Sequence, residues 1–505
     1  MSIGKTGTPG LPLEHEACYA AMRAHDVRFD GRFFCGVSST GIYCRPICRV
    51  KLPREENCAF FASAAAAEAA GYRPCLRCRP ELAPGLAPVD SVPRLARSAA
   101  LMIEEDGEGS RKISELAAAL KITDRHLRRV FFAEYGVSPV QYLQTTRLLL
   151  AKSLLTDTRL TVTDVAMASG FGSIRRFNEL FKKHYRLTPN ELRKNGRSLD
   201  ENSDEITLSL GYRPPYAWDN LISFLAARAV PGVESVNGGI YRRTVAVEKD
   251  KRTHYGWISV ADRPSQNALS VTLATTLLPV LSHVLARIRV LFDVNCSPGK
   301  VYDKLASMNK LLPGIFVPGI RVPGCFDPFE MSVRAVLGQQ VTVKAANTLA
   351  MRLVDFAGEK VDTPFEGLFL AFPRPDRICG LEGPVENHLG PLGITGGRAR
   401  SILALARALT GSMTLSYGAN PWEAMEKLRE LPGFGPWTIE YIAMRALGWP
   451  DAFPHTDYGV RKALSGLPSQ EILKLSQEWS PWRSYATVLL WNFLPNRLEI
   501  QKRSR

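Results

Sequence analysis

The spacing of apolar and polar positions changes character along the chain, and the changes mark its parts. Between residues 113 and 189 the apolar positions recur at helical intervals, and they do so twice. ISELAAALKITDRHLRRVFFAEYGVSP (113–139) aligns with VTDVAMASGFGSIRRFNELFKKHYRLTP (162–189) at an offset of 49 to 50 residues, with Phe131 over Phe181, Tyr135 over Tyr185 and Pro139 over Pro189. Each copy reads as a short helix, a turn and a second helix with Arg and Lys on one face, the pattern of a helix-turn-helix that lays its second helix in a DNA major groove. A helical bundle with a solvated basic face accounts for one such segment; two with matching turns favour paired insertion into DNA. From residue 206 the period falls to two, and ITLSLGY, TVAVE, WISVAD and ALSVTLA read as strands. From about 275 onward the pattern is wholly helical. The fold class expected is multidomain α+β, mostly α by residue count.

Two stretches break the periodicity and mark boundaries. PELAPGLAPVDSVP (80–93) has four prolines and no apolar period, which argues against a packed element, and RKNGRSLDENSDE (193–205) is polar and charged. Together with the switch from strands to helices they divide the chain at 1–90, 91–200, 201–288 and 289–505.

Charge adds a partner to this picture. Lys and Arg number 64 against 49 Asp and Glu, a formal net charge of +15 over 505 residues, which suits a polyanion such as nucleic acid. The excess is densest where the helical repeat lies, with 19 basic and 12 acidic residues between 91 and 200. Arg125, Arg128, Arg129, Arg175, Arg176 and Lys182 on the second helices of the two copies are the candidate DNA contacts there. No stretch approaches the ~20 apolar residues of a membrane span, and the N-terminal residues carry no apolar core of signal-peptide length. The expectation is a soluble intracellular protein with no membrane partner.

Six of the ten cysteines fall between Cys35 and Cys78, and in a reducing compartment such clustering points to metal rather than disulfides. Cys44 and Cys48 form a C-x3-C pair, Cys75 and Cys78 a C-x2-C pair, with 26 residues between, a spacing that lets four thiolates close a tetrahedron around one Zn²⁺. Arg45, Arg49, Arg73, Arg77 and Arg79 surround them, Arg45 being a further candidate DNA contact. Cys35 and Cys58 lie outside the pairs and read as small core hydrophobes. Spacing alone favours a structural zinc site. The surrounding sequence reverses that preference: TGIYCRPICR (40–49) and REENCAFFASAAAAEAAGYRPCLRCRPE (54–81), in this order, resemble the N-terminal domain of the bacterial Ada adaptive-response proteins across nearly all of 14–90. The resemblance implies a small zinc-binding α/β domain in which a zinc-bound thiolate, Cys44 by position, takes a methyl group irreversibly from a DNA methylphosphotriester. Four thiolates around Zn²⁺ carry a net charge near −2, so methylating one sulfur removes a charge that repels DNA. The helix-turn-helix pair is similar to AraC-type transcription factors, and would report that change as promoter binding and activation, with RNA polymerase as a partner.

LPGFGPWTIEYIAMRAL (431–447) reads as a turn with Gly433 and Gly435 opening a helix, whose free amides can hold a DNA phosphate. A lone GxG turn says little; Asp457 following in DAFPHTDYGVRKALSGL says more. A helix-hairpin-helix with an aspartate about twenty residues on, together with CFDPFEMSVRAVLGQQVTVKAA (325–346), RAR (398–400) and WRSYATVLLW (482–491), resembles the helix-hairpin-helix DNA glycosylases over 205–500, in their 3-methyladenine glycosylase II (AlkA) branch. That likeness implies a small sheet subdomain ahead of an all-α core, a catalytic role for Asp457, and a base pocket of Trp437, Tyr441 and Trp491. Asp457 is equally suited to cap the helix it precedes. Related enzymes with lyase activity carry a lysine where this chain has Trp437, and some hold a four-cysteine iron-sulfur cluster near the C-terminus, whereas no cysteine follows Cys379 here. The expectation is a monofunctional glycosylase acting on methylated purines in duplex DNA, with no iron-sulfur cluster and no organic cofactor. The residue that fills the gap of a flipped base aligns with Gln340, polar where the best-known relative is apolar. The Pro-Cys-His-Arg motif of O6-methylguanine methyltransferases occurs nowhere, so direct reversal of that lesion is not expected. A competing reading keeps the sensor and makes the glycosylase-like half a DNA-binding module without turnover.

Overall fold

A computed structural model of the chain describes residues 11, 13–85, 94–106, 113–194, 204–417, 419–465 and 467–503, with Arg94, Asp106, Lys194 and the last ten of these described for backbone only. They form two compact units, Met1–Pro214 with Arg263–Ala286 and Pro215–Asp262 with Arg287–Arg505.

The first unit opens with helix α1 (His15–Arg23) and a four-stranded sheet of β1 (Phe34–Val37), β2 (Ile42–Cys44), β3 (Cys58–Phe61) and β4 (Arg73–Pro74) in the order β3-β1-β2-β4. β1 runs antiparallel to β2 and β3, and β2 runs parallel to β4. Helix α2 (Ala64–Ala69) starts where Ser63 accepts the Ala66 amide at 3.1 Å. Cys35 and Cys58 are buried in an apolar cluster with Phe33 and Phe60, as hydrophobes should be. Then come α3 (Arg94–Asp106), α4 (Ile113–Ala119), α5 (Asp124–Tyr135), α6 (Pro139–Asp157), α7 (Val162–Ala168), α8 (Ile174–Tyr185) and α9 (Pro189–Lys194).

The internal repeat is structural as well as textual. α5 buries Leu127, Phe131 and Tyr135 and α8 buries Phe177, Phe181 and Tyr185, each at i, i+4, i+8 on one helix face. Thr123 caps α5 and Ser173 caps α8. Each second helix is then followed by the same reciprocal cap, Ser138 with Gln141 and Thr188 with Glu191.

One apolar cluster runs from Phe34, Tyr43 and Phe61 of the small sheet to Leu116, Leu127 and Phe131 of the first helix-turn-helix. Polar clamps accompany it. Lys152 on α6, 1% exposed, donates to Glu81 at 2.5 Å, and Arg79 donates both its terminal nitrogens to Asp157 at 2.7 and 2.6 Å. Glu68 accepts from Tyr43 at 3.1 Å and from Thr145 of α6 at 3.0 Å. Residues 80–85, expected to be part of a linker, are therefore packed: the buried Glu81 neutralises two cations, which proline count does not reveal. The rest of that stretch, 86–93, and residues 195–203 of the second boundary lie outside the described residues.

β5 (Glu205–Gly211) pairs antiparallel with β9 (Ala268–Ala274) in this unit. Gly211 has no room for a side chain, since a Cβ there would lie 1.9 Å from the Leu82 carbonyl oxygen. In the second unit β6 (Glu234–Asn237), β7 (Ile240–Lys249) and β8 (Arg252–Arg263) form a meander. The four strands read from the alternation are present, but α10 (Trp218–Ala226), with Trp218, Leu221, Ile222, Phe224 and Leu225 buried, stands among them unforeseen. Helices α11 to α23 run Leu281–Leu291, Pro298–Leu305, Met308–Leu311, Pro328–Leu337, Val343–Ala357, Pro375–Cys379, Val385–Leu389, Gly396–Thr410, Pro421–Arg429, Pro436–Arg445, Tyr458–Ala463, Ser469–Leu475 and Arg483–Arg503. The expectation of a wholly helical remainder is corrected by the two-residue ladder of β10 (Glu359–Lys360) and β11 (Leu370–Ala371). Among the described residues no helix is long and apolar enough to cross a membrane.

Candidate active site and metal centre

Cys44 ends β2, Cys48 follows in a turn, Cys75 follows β4, and Cys78 lies in the next turn. The parallel pairing of β2 with β4 brings the two cysteine pairs together, and all four sulfurs lie within 4.8 Å of one another. A zinc ion with bonds of about 2.3 Å to four thiolates needs sulfurs about 3.8 Å apart, so the cluster fits the metal. Four thiolates this close cannot all ionise without a cation between them. Among the described residues no other group of metal-ligating side chains stands this close.

Arg45 is not the exposed DNA contact expected from its position. It is 9% exposed, its Nε donates to Asp30 at 2.8 Å, a terminal nitrogen donates to the Cys78 carbonyl at 3.1 Å, and its backbone amide points at Cys78 Sγ at 3.4 Å. The guanidinium braces the metal loops, a role that adjacency to a cysteine does not distinguish from phosphate binding. Arg49 and Arg77 are the exposed cations beside the cluster.

On the helix-turn-helix pair, Arg125, Arg128, Arg129, Arg175, Arg176 and Lys182 are all exposed. Three of them have partners on their own helix: Arg128 with Asp124 at 2.8 Å, Arg129 with His126 at 3.1 Å and Arg175 with Glu179 at 3.1 Å. Exposed pairs within one helical turn are weak, so phosphate can compete for them.

In the second unit the turn before α20 (Pro436–Arg445) passes through Gly433 at φ +80°, where a Cβ would sit 2.2 Å from Ser401 Oγ of α18. Glycine is required there on both counts. Gln339 clips this hairpin to the α14–α15 turn, donating to the Gly433 carbonyl at 2.8 Å and to Thr438 at 2.9 Å, while Arg398 donates to the Gln339 carbonyl. Its neighbour Gln340 is exposed and holds φ +54°, an unusual backbone for a residue with a side chain, at the tip of the turn.

α20 and α23 hold the rings. Trp437 stacks on Tyr441 with centroids 5.2 Å apart and planes 22° from parallel, and Tyr441 lies 6.1 Å from Trp491. Phe224 of α10 stacks on Trp491 at 5.7 Å and 14°, completing an aromatic group. Asp457 is the N-cap of α21 and more: Oδ1 accepts from the Gly459 amide at 2.8 Å, the Val460 amide at 3.2 Å and Trp491 Nε1 at 2.8 Å, and Oδ2 accepts from Trp437 Nε1 at 2.9 Å. Its carboxylate is thus fixed between two indoles at a helix N-terminus. The cleft over these residues has a volume of about 2000 Å³. Gly435, Gln340 and Asp457 all line it.

A buried charge cluster stands behind the cleft. Arg334 donates to Glu234 at 2.8 Å and to Glu330 at 2.9 Å, and Arg243 donates to Glu330 at 2.6 Å. Burial alone would raise Glu234, but Arg334 and Arg243 outweigh it and hold the carboxyl below its ordinary range. Sequence reasoning missed Phe224, Gln339, Ser401 and this cluster. Phe224 was within reach, because Trp218, Leu221, Ile222 and Leu225 repeat at helical spacing.

A sulfur cluster suited to zinc, a helix-turn-helix pair and a helix-hairpin-helix beside an aromatic cleft together define a multidomain DNA-binding protein with a glycosylase fold. Family models agree part by part: the metal binding domain of Ada matches residues 17–81, a helix-turn-helix domain 116–195, and the AlkA N-terminal domain 207–327. A "Probable bifunctional transcriptional activator/DNA repair enzyme AlkA" of Mycobacterium tuberculosis is 38% identical over 492 residues, covering 95% of this chain and 97% of the relative. DNA-3-methyladenine glycosylase 2 of Escherichia coli is 34% identical over 56% of this chain and 96% of its own length, and the bifunctional transcriptional activator/DNA repair enzyme AdaA of Bacillus subtilis is 30% identical over 35% of this chain and 81% of its own. The chain belongs to the family of bifunctional transcriptional activator/DNA repair proteins of the AlkA type.

Proposed function

We propose that this chain is a DNA alkylation sensor and repair enzyme, a methylphosphotriester-responsive transcription activator joined to a monofunctional glycosylase that excises alkylated bases of the 3-methyladenine and 7-methylguanine type. The observation that carries the glycosylase half is the Asp457 carboxylate, held by Trp437 and Trp491 beside Tyr441 in a cleft wide enough for a flipped nucleotide.

A purine methylated on a ring nitrogen is already a cationic leaving group and needs no strong acid. Its bond to C1′ breaks with the electron pair going to the base, positive charge develops on the sugar, and water adds at C1′ and gives its proton to solvent. Asp457 stabilises that charge. Three of the four hydrogen bonds it accepts fall on Oδ1, which leaves Oδ2, with one, the less encumbered oxygen. Trp437, Tyr441 and Trp491 stack on the extruded base. The amides near Gly433 and Gly435 take a backbone phosphate, and Gln340 fills the vacated stack.

In the sensor half, one zinc ion held by Cys44, Cys48, Cys75 and Cys78 would keep the sulfurs ionised. The Cys44 thiolate attacks the methyl carbon of the phosphotriester, the S–C bond forms as C–O breaks, and a phosphodiester leaves. The loss of one negative charge strengthens DNA binding through Arg125, Arg128, Arg129, Arg175, Arg176 and Lys182, and RNA polymerase then meets the bound activator. The parts are 1–90 for sensing, 91–200 for promoter reading, and 201–288 with 289–505 for repair. No cofactor besides zinc is required, and the protein works on the nucleoid in the cytoplasm.

The test is release of free methylated purines from alkylated duplex DNA beside an Asp457→Asn variant that still binds DNA. Release by the unaltered protein and a fall of at least ~100-fold in the variant is expected. Tight DNA binding without release by either would make the second half a binding module.

A further inference from the structure

Three residues of the first unit form a chain that ends at the metal centre. Arg45 directs its backbone amide to Cys78 Sγ at 3.4 Å and a terminal nitrogen to the Cys78 carbonyl at 3.1 Å, so it grips that ligand at two points. Arg45 is held in turn by Asp30, whose carboxylate accepts from its Nε at 2.8 Å and from its other terminal nitrogen. Asp30 is 3% exposed, and its backbone carbonyl accepts from Arg213 Nε at 2.9 Å.

Arg213 comes from a distant part of the sequence. It stands just after β5, outside the segments that match the Ada metal binding domain and the helix-turn-helix domain and inside the one that matches the AlkA N-terminal domain. It is 1% exposed. Besides Asp30, one of its terminal nitrogens reaches the Gly85 carbonyl at 2.7 Å and the Pro84 carbonyl at 3.4 Å. The guanidinium therefore ties the turn ahead of β1, at residue 30, to the stretch that follows the last metal ligand, at residues 84 and 85. The two stretches lie in close contact: at Gly31, with φ +73°, a Cβ would lie 1.9 Å from the Pro84 carbonyl oxygen. Carbonyl oxygens of three residues converge on one buried cation, and leaving buried carbonyls without a donor is costly. A planar fork of five donors suits this arrangement, and an ammonium group suits it less well.

We propose that Arg213 is a positioning residue for methyl transfer, acting through Asp30 and Arg45 to hold the turn that carries Cys78 in place at the metal centre. The proposal rests on the sensor reading given above and adds that this sensor is completed by a residue from the segment that matches a repair domain. Groups standing behind metal ligands fix their direction, and their loss typically changes metal affinity or activity 10- to 100-fold. Without Arg213, the turn at residue 30 and the stretch at 84–85 lose their tie. Asp30 then shifts, Arg45 shifts with it, and Cys78 loses the two bonds that orient it.

The experiment uses the full chain and its Arg213→Met, Arg213→Lys and Asp30→Asn variants, together with the double variant Arg213→Met, Asp30→Asn. Two quantities are read: the rate at which zinc passes to a competing chromogenic chelator, and single-turnover methyl transfer from duplex DNA carrying methylphosphotriesters, with the limiting rate separated from the DNA concentration at half-saturation. Arg213→Met should give up zinc roughly 10-fold faster and lower the limiting rate by a similar factor, with half-saturation unchanged, and Arg213→Lys should recover part of both. The double variant should be no worse than the worse single one, because the two residues act along one chain. Losses that multiply in the double variant overturn the proposal. So does an Arg213→Met chain that unfolds at lower denaturant while its zinc release and limiting rate stay as they were, for Arg213 would then support its strand alone. If the unaltered chain holds zinc but takes no methyl group, the methyl-acceptor reading falls; faster zinc release from Arg213→Met would still mark a brace of the metal centre, and equal release would remove that too.

Discussion

The metal centre and the base pocket are built on opposite plans. The four sulfurs come from two short turns between residues 44 and 78, set side by side by the pairing of two strands. The pocket draws Gln340 from the α14–α15 turn, Trp437 and Tyr441 from α20, Asp457 from the start of α21 and Trp491, stacked on Phe224 of α10, from α23. A locally built site depends first on its ligand. A site assembled across many helices depends on what stands behind it, here the Arg334 cluster and the Gln339 clip.

The sharpest way to break this contrast is to remove the metal. Cys75→Ala, or a strong chelator, takes away a binding free energy of about 10–16 kcal/mol at a structural zinc site, and the small sheet around it should unfold. Zinc release followed with a colorimetric dye should coincide with loss of methyl transfer. Base release should persist, since every pocket residue comes from the second unit. A parallel loss of both activities would show that the sites are not independently supported.

Next in size is Arg334→Met, which leaves Glu234 and Glu330 short of a buried counter-charge and should cost about 3–5 kcal/mol in denaturant unfolding of the repair half. The pH dependence carries the same information. Because Glu234 is held below its ordinary value of 4.5, its contribution to stability is fully present above that value and is lost as pH falls through the lower value it has in the folded state. The unaltered protein should lose stability along that acid limb, and the variant should show a flatter one. An unchanged acid limb would detach the charge cluster from the pocket's support.

The smallest effect is expected at the hairpin. Gly433→Ala places a Cβ 2.2 Å from Ser401 Oγ at φ +80° and should cost roughly 1–3 kcal/mol, with weaker binding to abasic DNA. Adding Ser401→Ala should recover the part due to the clash and leave the backbone strain, about 1 kcal/mol. Thermal unfolding of the single and double variants separates the two contributions.

The same contrast explains how far the sequence could be read. C-x3-C and C-x2-C state their chemistry by spacing, and the two helix-turn-helix copies state their fold by repetition down to matched caps. For the pocket, the Gly433–Gly435 turn and Asp457 stood out, yet spacing could not show that Trp437 and Trp491, distant in the chain, both donate to that carboxylate. The likeness to glycosylases supplied them. Arg45 was misread because a basic residue beside a cysteine looks the same whether it faces DNA or braces a loop; only its pairing with Asp30 decides. α10 was hidden by the strands on either side of it, and with it Phe224.

The clamps of Glu81 to Lys152 and Arg79 to Asp157 bear on how such a protein is inherited and dissected. A fragment ending near residue 90 would keep the Arg79–Glu81 pair but lose Lys152 and Asp157 of α6, so it should be less stable than one that extends through residue 157. Gene fusions and domain exchanges among relatives are then constrained as well. The sensor can be traded as a unit with the first DNA-reading helices, whereas a crossover inside the proline-rich stretch would part Glu81 from Lys152 and Arg79 from Asp157.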